Sequence, residues 1–170
     1  MLLPSKKDIS EKLNIPMDQV RIGFYSTVGD LLHAGHLAAM REARNHCDYL
    51  IVGLIADPTT DRPKTKNAPI QSLLERYIEL ASCKYVDCVI PLSGERDLLD
   101  ALLLLLPDVR FAGKEYENVP HTGSGIKDIK MVYLDRKHSF SSSELRQRVL
   151  LAEFKKVSDD SKESEDPTVL

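Results

Sequence analysis

Two histidines, His33 and His36, stand three residues apart with Gly35 between them. They fall where a run of strand-forming residues, Ile22 to Ser26, gives way to a helical pattern. In that pattern Leu37, Met40, Ala43 and Cys47 recur at spacings of three and four. A helix N-terminus presents unpaired backbone N–H groups and the positive end of the helix dipole, so it receives anions readily. Gly35 removes a side chain and lets a phosphate approach the backbone, and both imidazoles can donate to phosphate oxygens. Two histidines at this spacing also suit a metal, but zinc needs three or four ligands and the sequence offers no clear partner. Neither the P-loop pattern nor G-x-G-x-x-G occurs. On spacing alone, phosphate binding stands beside the plainer alternative of structural or solvated histidines.

Three further segments carry chemistry. Lys64 and Lys66 flank Thr65 in a polar loop, as solvated charges or as counter-charges to a polyphosphate. In Ser141-Ser142-Ser143-Glu144, Ser141 and Glu144 have the spacing of a capping box, which marks a second helix N-terminus with hydroxyls beside it. Arg136, just upstream, is a planar cation able to grip two phosphate oxygens. Glu75-Arg76 reads equally as a site pair or a surface ion pair. The Gly-rich stretch His121 to Gly125 is a weak substrate-contact signal beside its reading as a flexible loop, and His46 and His138 have no assignment.

The elements that must hold these residues follow from the pattern. Residues 5–13 predict a short helix. Ile22–Ser26, Tyr49–Ala56, Cys88–Pro91, Val109–Ala112 and Met131–Leu134 predict strands. Helices are expected after Gly35, over Ile70–Cys83, over Asp97–Leu106 and from Ser142 to about Leu151. The run Tyr49 to Ala56 is apolar throughout, as in a strand covered on both faces. Strands alternating with helices predict an α/β, Rossmann-like doubly wound parallel sheet in a single domain, with ligands at the carboxyl ends of the strands. Residues 1–20 are expected to be an extension, 21–151 the domain, and 152–170 an acidic disordered tail.

With 170 residues, 42% hydrophobic and 29% charged, the chain fits one globular domain and excludes a fully disordered, collagen-like or coiled-coil protein. The net charge is −3, and from Ser158 onward five acids face Lys162 alone, so the body is close to neutral. That balance argues against a sequence-independent nucleic-acid binder. No run reaches the ~18–20 apolar residues of a membrane span. The first residues place apolar side chains ahead of charges, the reverse of a signal peptide. Three cysteines without a C-x-x-C predict reduced thiols, core filler, and a cytoplasmic setting.

Asp30-Leu31-Leu32-His33-Ala34-Gly35-His36 resembles the D-L-[LF]-H-x-G-H signature of the cytidylyltransferase branch of the HxGH nucleotidyltransferases. The resemblance runs from about Arg21 to Arg148 and is nearest to the glycerol-3-phosphate cytidylyltransferases. The ethanolamine- and choline-phosphate cytidylyltransferases and the heptose-phosphate adenylyltransferases follow. Asp48 to Val52 and Lys84 to Pro91 resemble scaffold segments of the family. Arg136, Phe140, Ser141, Ser142, Ser143 and Leu145 match its second signature, in which Lys137 and Ser139 replace Thr and Gly. Gly113-Lys114-Glu115-Tyr116 resembles its G-x-D-[WY], with Glu115 in place of Asp.

The resemblance implies transfer of a nucleotidyl group from CTP to a phosphorylated alcohol such as glycerol 3-phosphate, with release of pyrophosphate. ATP with a sugar phosphate is the alternative. It implies His33, His36, Lys66 and Arg136 as catalytic residues. The same four, with Val28, Gly29, Asp30, Gly35, Phe140, Ser141, Ser142 and Ser143, would bind the nucleotide, and Lys64 and Glu115 the acceptor. It implies Mg²⁺ carried mainly on the nucleotide phosphates, with Asp30 a candidate organiser of the metal, and a homodimer. One departure stands out. Gly29 occupies the place of the family's phenylalanine, which predicts lost packing beside the nucleotide and a roomier site, and motivates a further alternative, a nucleotide sensor or scaffold without turnover.

Overall fold

The computed structural model describes residues 3–135 and 139–163. Its elements run α1 Lys6–Leu13, β1 Ile22–Thr27, α2 Ala34–Arg44, β2 Tyr49–Ile55, α3 Leu73–Ala81, β3 Cys88–Leu92, α4 Glu95–Leu105, β4 Val109–Gly113, β5 Lys130–Leu134 and α5 Ser142–Glu163. All strand pairs are parallel, in the order β3-β2-β1-β4-β5. The expected doubly wound α/β sheet is therefore present, with its switch point between β1 and β4. Pro91, which cannot donate to a ladder, sits in the edge strand β3.

Alternation of side chains builds two cores from one sheet. Phe24, Ile51, Ile55, Ile90 and Leu92 point to one face, against Leu98 and Leu102 of α4 and Ile9 of α1. Tyr25, Leu50, Val52, Leu54 and Phe111 point to the other, against Met40 of α2 and Leu80 of α3. Every residue of β2 is buried, which is why that strand reads as an unbroken apolar run. Burying each such side chain contributes roughly 1.5–3 kcal/mol.

Three aspartates pin the amino edge of the sheet. Asp48 accepts from the Arg21 N–H at 2.8 Å, Asp87 from Leu50 at 2.8 Å and Asp108 from Ile22 at 2.8 Å. Each stands just before one strand and holds the start of its neighbour, so the segments singled out as scaffold set register. Asp108 also receives the Lys6 ammonium at 2.8 Å, which docks α1. The three cysteines are unpaired, and burial pushes the Cys47 thiol up to about 11.

Most boundaries shift by one or two residues, and two shift further. The helix expected from Ile70 begins at Leu73, because residues 70 and 71 give their N–H groups to the Asp30 carboxylate instead of to a helix. The final helix passes its expected end near Leu151 and runs to Glu163. No glycine or proline interrupts residues 142–166, and their Leu, Ala, Glu, Lys, Arg and Gln favour helix beyond the point where apolar periodicity fades. The expected disordered tail is thus helical as far as Glu163, and residues 164–170 lie outside the described residues.

Candidate active site

The turn from β1 to α2 is folded by a network that the sequence only hints at. Gly29 and Leu31 both adopt left-handed backbone, with φ of 66° and 51°. For leucine that conformation is costly and persists only when its surroundings over-determine it. They do so through Asp30, which is 4% exposed. Its carboxylate accepts from the N–H groups of Ile70 at 2.8 Å and Gln71 at 2.9 Å, and it pairs with Arg146 of α5. Leu31 N–H donates to the Gln71 amide oxygen at 2.6 Å, and Ser142 Oγ donates to the Asp30 carbonyl at 3.0 Å. Burial alone would raise the Asp30 carboxyl, but the N–H of Gln71, the Arg146 guanidinium and the N–H of Ile70 outweigh it and hold it below its usual value.

Arg76, only 2% exposed, completes the brace. It donates to the carbonyls of Val28 at 2.7 Å, Ile55 at 2.8 Å, Ala56 at 2.7 Å and Gln71 at 3.2 Å. Glu75 caps Ser72 instead of pairing with it, so Glu75-Arg76 is neither a surface ion pair nor a ligand pair. Its guanidinium ties the ends of β1 and β2 together.

This brace delivers the histidines. His33 is the N-cap of α2, and its Nδ1 accepts from Gly35 N–H at 3.0 Å. His36 Nδ1 accepts from His33 N–H at 3.4 Å, and the two rings lie 4.1 Å apart. With both Nδ1 atoms accepting from backbone, the neutral rings carry their proton on Nε2, which makes each a donor to an incoming oxygen.

Both histidines line a cleft of about 770 Å³ at the carboxyl ends of β1 and β4. Val28, Gly35, Lys66, Glu115, Phe140, Ser141, Ser142 and Ser143 line it too. The N-termini of α2 and α5 therefore converge on one cavity. Ser141 Oγ accepts from Glu144 N–H at 3.1 Å, half of the expected capping box. Glu115 follows β4 and folds back over Gly113, where a Cβ would meet its carboxylate at 2.3 Å.

Four expectations change. Asp30 does not line the cleft, and its two carboxylate oxygens are committed to residues 70, 71 and 146, so it positions the turn and is not a free metal ligand. Lys64 is exposed and outside the cleft, whereas Lys66 lines it. Gly29 also lies outside the lining, and a Cβ there would meet Leu80 at 3.1 Å, so the position faces the α3 core and its glycine opens no room in the cleft. Ser142 spends its hydroxyl on the Asp30 carbonyl. Arg136, like Lys137 and His138, lies outside the described residues. No group of three or more metal-ligating side chains occurs among the described residues.

The cleft holds residues that the motifs did not announce. Arg62 pairs with Glu95 at 2.9 Å, and Thr122 Oγ1 donates to the other Glu95 oxygen at 2.5 Å. Arg110 is 3% exposed, yet its Nε and Nη1 have no partner. Burial pushes its guanidinium pKa down, and the charges of Glu95 and Tyr133 only partly oppose that. One signal was in the sequence: Arg110 is a lone cation within the strand Val109–Gly113. His121, expected only as a weak contact, also lines the cleft.

Residues 25–148 match the cytidylyltransferase-like family. The chain is 38% identical over 127 residues to the bifunctional protein HldE of Rhodospirillum rubrum, covering 73% of this chain and 25% of that protein. It is 43% identical over 76 residues to the ethanolamine-phosphate cytidylyltransferase of Dictyostelium discoideum, covering 43% of this chain and 21% of that protein. The chain thus spans about a fifth to a quarter of the length of these curated relatives. The lipopolysaccharide core biosynthesis protein from Thermoplasma volcanium superposes with a TM-score of 0.50 at 22% identity, over 78% of this chain and 88% of that one. The pantoate-beta-alanine ligase from Francisella tularensis gives 0.54 at 19% identity, over 81% of this chain and 67% of that one. At these identities the two structures speak to the fold alone.

Proposed function

The chain belongs to the cytidylyltransferase-like family, and from that premise we propose that it transfers a nucleotidyl group from a nucleoside triphosphate, CTP by preference, to a phosphorylated alcohol of the glycerol 3-phosphate kind. An oxygen of the acceptor phosphate attacks the α-phosphorus in line, the bond from that phosphorus to the α–β bridging oxygen breaks, and pyrophosphate leaves with the electron pair. No side-chain nucleophile is needed; the protein positions two anions and stabilises the charge that develops.

The observation that carries this reading is the convergence of two helix N-termini on one cleft, with His33 and His36 at one and Ser141 to Ser143 at the other. The Nε2–H groups of the histidines donate to the triphosphate as the leaving group gains charge. Lys66 and Arg136 neutralise its outer phosphates, Ser143 and the first N–H groups of α5 cradle them, and Phe140 flanks the nucleotide. Glu115 contacts the acceptor. With Lys64 outside the cleft, its role toward the acceptor passes in this proposal to Arg62, a cation that lines it.

Mg²⁺ belongs to the proposal as an ion that arrives on the triphosphate and keeps several waters, supplying charge neutralisation there. The donor set fits that use, since the cleft carboxylates Asp61, Glu95 and Glu115 are scattered and not gathered into a cage. Among the described residues no helix is long and apolar enough to cross a membrane. Three unpaired thiols suit a reducing compartment, and they support a cytoplasmic setting as part of the proposal.

The test is pyrophosphate release from CTP and from ATP, each with Mg²⁺ and a panel of phosphorylated alcohols and sugar phosphates. Release with CTP and a small phospho-alcohol is expected. Release with ATP and a sugar phosphate alone moves the base and the acceptor. Nucleotide binding with no release under any pairing overturns the enzymatic reading in favour of a sensor.

A further inference from the structure

Arg110 sits opposite Phe24 in β1 and Met131 in β5, so its side chain emerges on the face of the sheet that α4 covers. The histidines come from α2, which packs on the other face. Arg110 therefore addresses a part of the cleft away from the phosphate site of α2. Its surroundings are confined. Gly123, with φ of 79°, lies so near that a Cβ there would meet Nη1 at 2.2 Å. Leaving a cationic donor buried and unpaired is unfavourable unless something arrives to meet it.

The neighbours do not meet it. The Glu95 carboxylate is engaged by Arg62 at 2.9 Å and by Thr122 at 2.5 Å. Arg62 and Thr122 thus take both Glu95 oxygens and leave Arg110 unmet, so the cluster has room for another negative charge. Arg62 Nε is also without a partner, as is His121 Nε2. His121 Nδ1 faces the Val119 carbonyl at 2.9 Å, so the neutral ring donates there and keeps Nε2 as an acceptor. The corner offers cationic donors next to a hydrogen-bond acceptor.

We propose that Arg110 is the specificity residue of an acceptor subsite that takes a second anionic group, a carboxylate or a further phosphate, on the compound whose phosphate attacks the nucleotide. This deepens the nucleotidyl-transfer reading and rests on it. Arg62 reinforces the subsite, and His121 accepts from a hydroxyl of the same compound. The acceptor class is then a phosphorylated hydroxy-acid or a polyol bisphosphate, and a simple phospho-alcohol would leave Arg110 unmet.

The experiment compares the intact protein with Arg110→Gln and Arg110→Lys, using 3-phosphoglycerate, fructose 1,6-bisphosphate and glycerol 3-phosphate as probes. Binding of each is measured calorimetrically in the presence of CTP and Mg²⁺, alongside pyrophosphate release. The wild type is expected to bind at least one doubly anionic probe more tightly than glycerol 3-phosphate, and which one it favours tells carboxylate from phosphate. Arg110→Gln should reduce that preference by about 10- to 100-fold, the loss of one charge-assisted contact, and Arg110→Lys should restore part of it. The effect should fall on KM more than on kcat. Equal weakening for all three probes, or no preference in the wild type, overturns the proposal. If Arg110→Gln fails to fold by circular dichroism, the wild-type preference and the Lys variant decide. Absence of pyrophosphate release from any pairing counts against the nucleotidyl-transfer reading, while the binding preferences judge the subsite separately.

Discussion

Replacing Asp30 with asparagine tests the brace beneath the histidines. Asparagine keeps one carbonyl oxygen for the N–H groups of Ile70 and Gln71, now 2.8 and 2.9 Å from the carboxylate, but loses the charge. Hydrogen bonds to a charged group contribute ~1.5–3 kcal/mol and neutral ones about 1, so weakening these two costs roughly 1–2 kcal/mol. The Arg146 side chain is 23% exposed, so water recovers part of its charge, and losing its pair adds about 1 kcal/mol in place of the 3–5 of a fully buried pair. Asp30→Asn should therefore destabilise by about 2–3 kcal/mol, near 5–10 °C in melting temperature for a chain of this size.

The pH dependence carries a sign. Asp30 has a folded pKa below its unfolded value near 3.9, so its contribution is full above that value and is lost as pH falls through the folded pKa. Urea denaturation at pH 7 should separate wild type and variant, and the two should converge below about pH 4. Since the turn places His33 and His36, turnover should also fall, by about tenfold or more. A difference under about 0.5 kcal/mol at pH 7, the scatter of ordinary surface substitutions, would refute this reasoning. So would a gap that stays constant in acid.

Other substitutions separate the roles assigned to neighbouring residues. His36→Ala should lower kcat by about 10²–10³ with a cooperative melt preserved, since it removes a donor to developing charge; near wild-type turnover in steady-state assays would withdraw that role. Lys66→Ala should raise KM for the nucleotide about tenfold, while Lys64→Ala, outside the cleft, should stay within about twofold, and the reverse order would contradict the cleft assignment. Gly29→Ala should destabilise by about 1–2 kcal/mol in urea, because φ of 66° disfavours a side chain and Leu80 stands 3.1 Å from the new Cβ.

Much of the sheet was legible because its strands are short apolar runs separated by helical periodicity, and β2 in particular is buried on both faces. The cleft was legible where function lies in local sequence: two histidines and a glycine at a helix start, serines at another. What escaped depends on contacts between distant segments. Nothing local tells that Asp30 faces residues 70, 71 and 146 and not a metal, or that Arg76 reaches four carbonyls from three segments. Gly29 reads as space beside a nucleotide because it stands where the resembled family carries a phenylalanine. A left-handed φ turns that one position toward Leu80 instead. Arg110 belongs to no motif, and only burial without a partner makes it visible. Helix α5 outran its apolar period because the residues after Leu151 favour helix by propensity, and those as far as Ser158 are exposed.

The central claim is that the cleft joins an acceptor phosphate to the α-phosphorus of a nucleotide. Phosphorus-31 NMR of a reaction containing protein, Mg²⁺, CTP or ATP, a phosphorylated acceptor and inorganic pyrophosphatase tests it most directly. A new pair of mutually coupled resonances from an asymmetric diphosphate diester is expected, growing as the acceptor phosphate signal falls. Spectra in which the triphosphate persists, or yields only nucleoside diphosphate and inorganic phosphate while the acceptor stays intact, would contradict it.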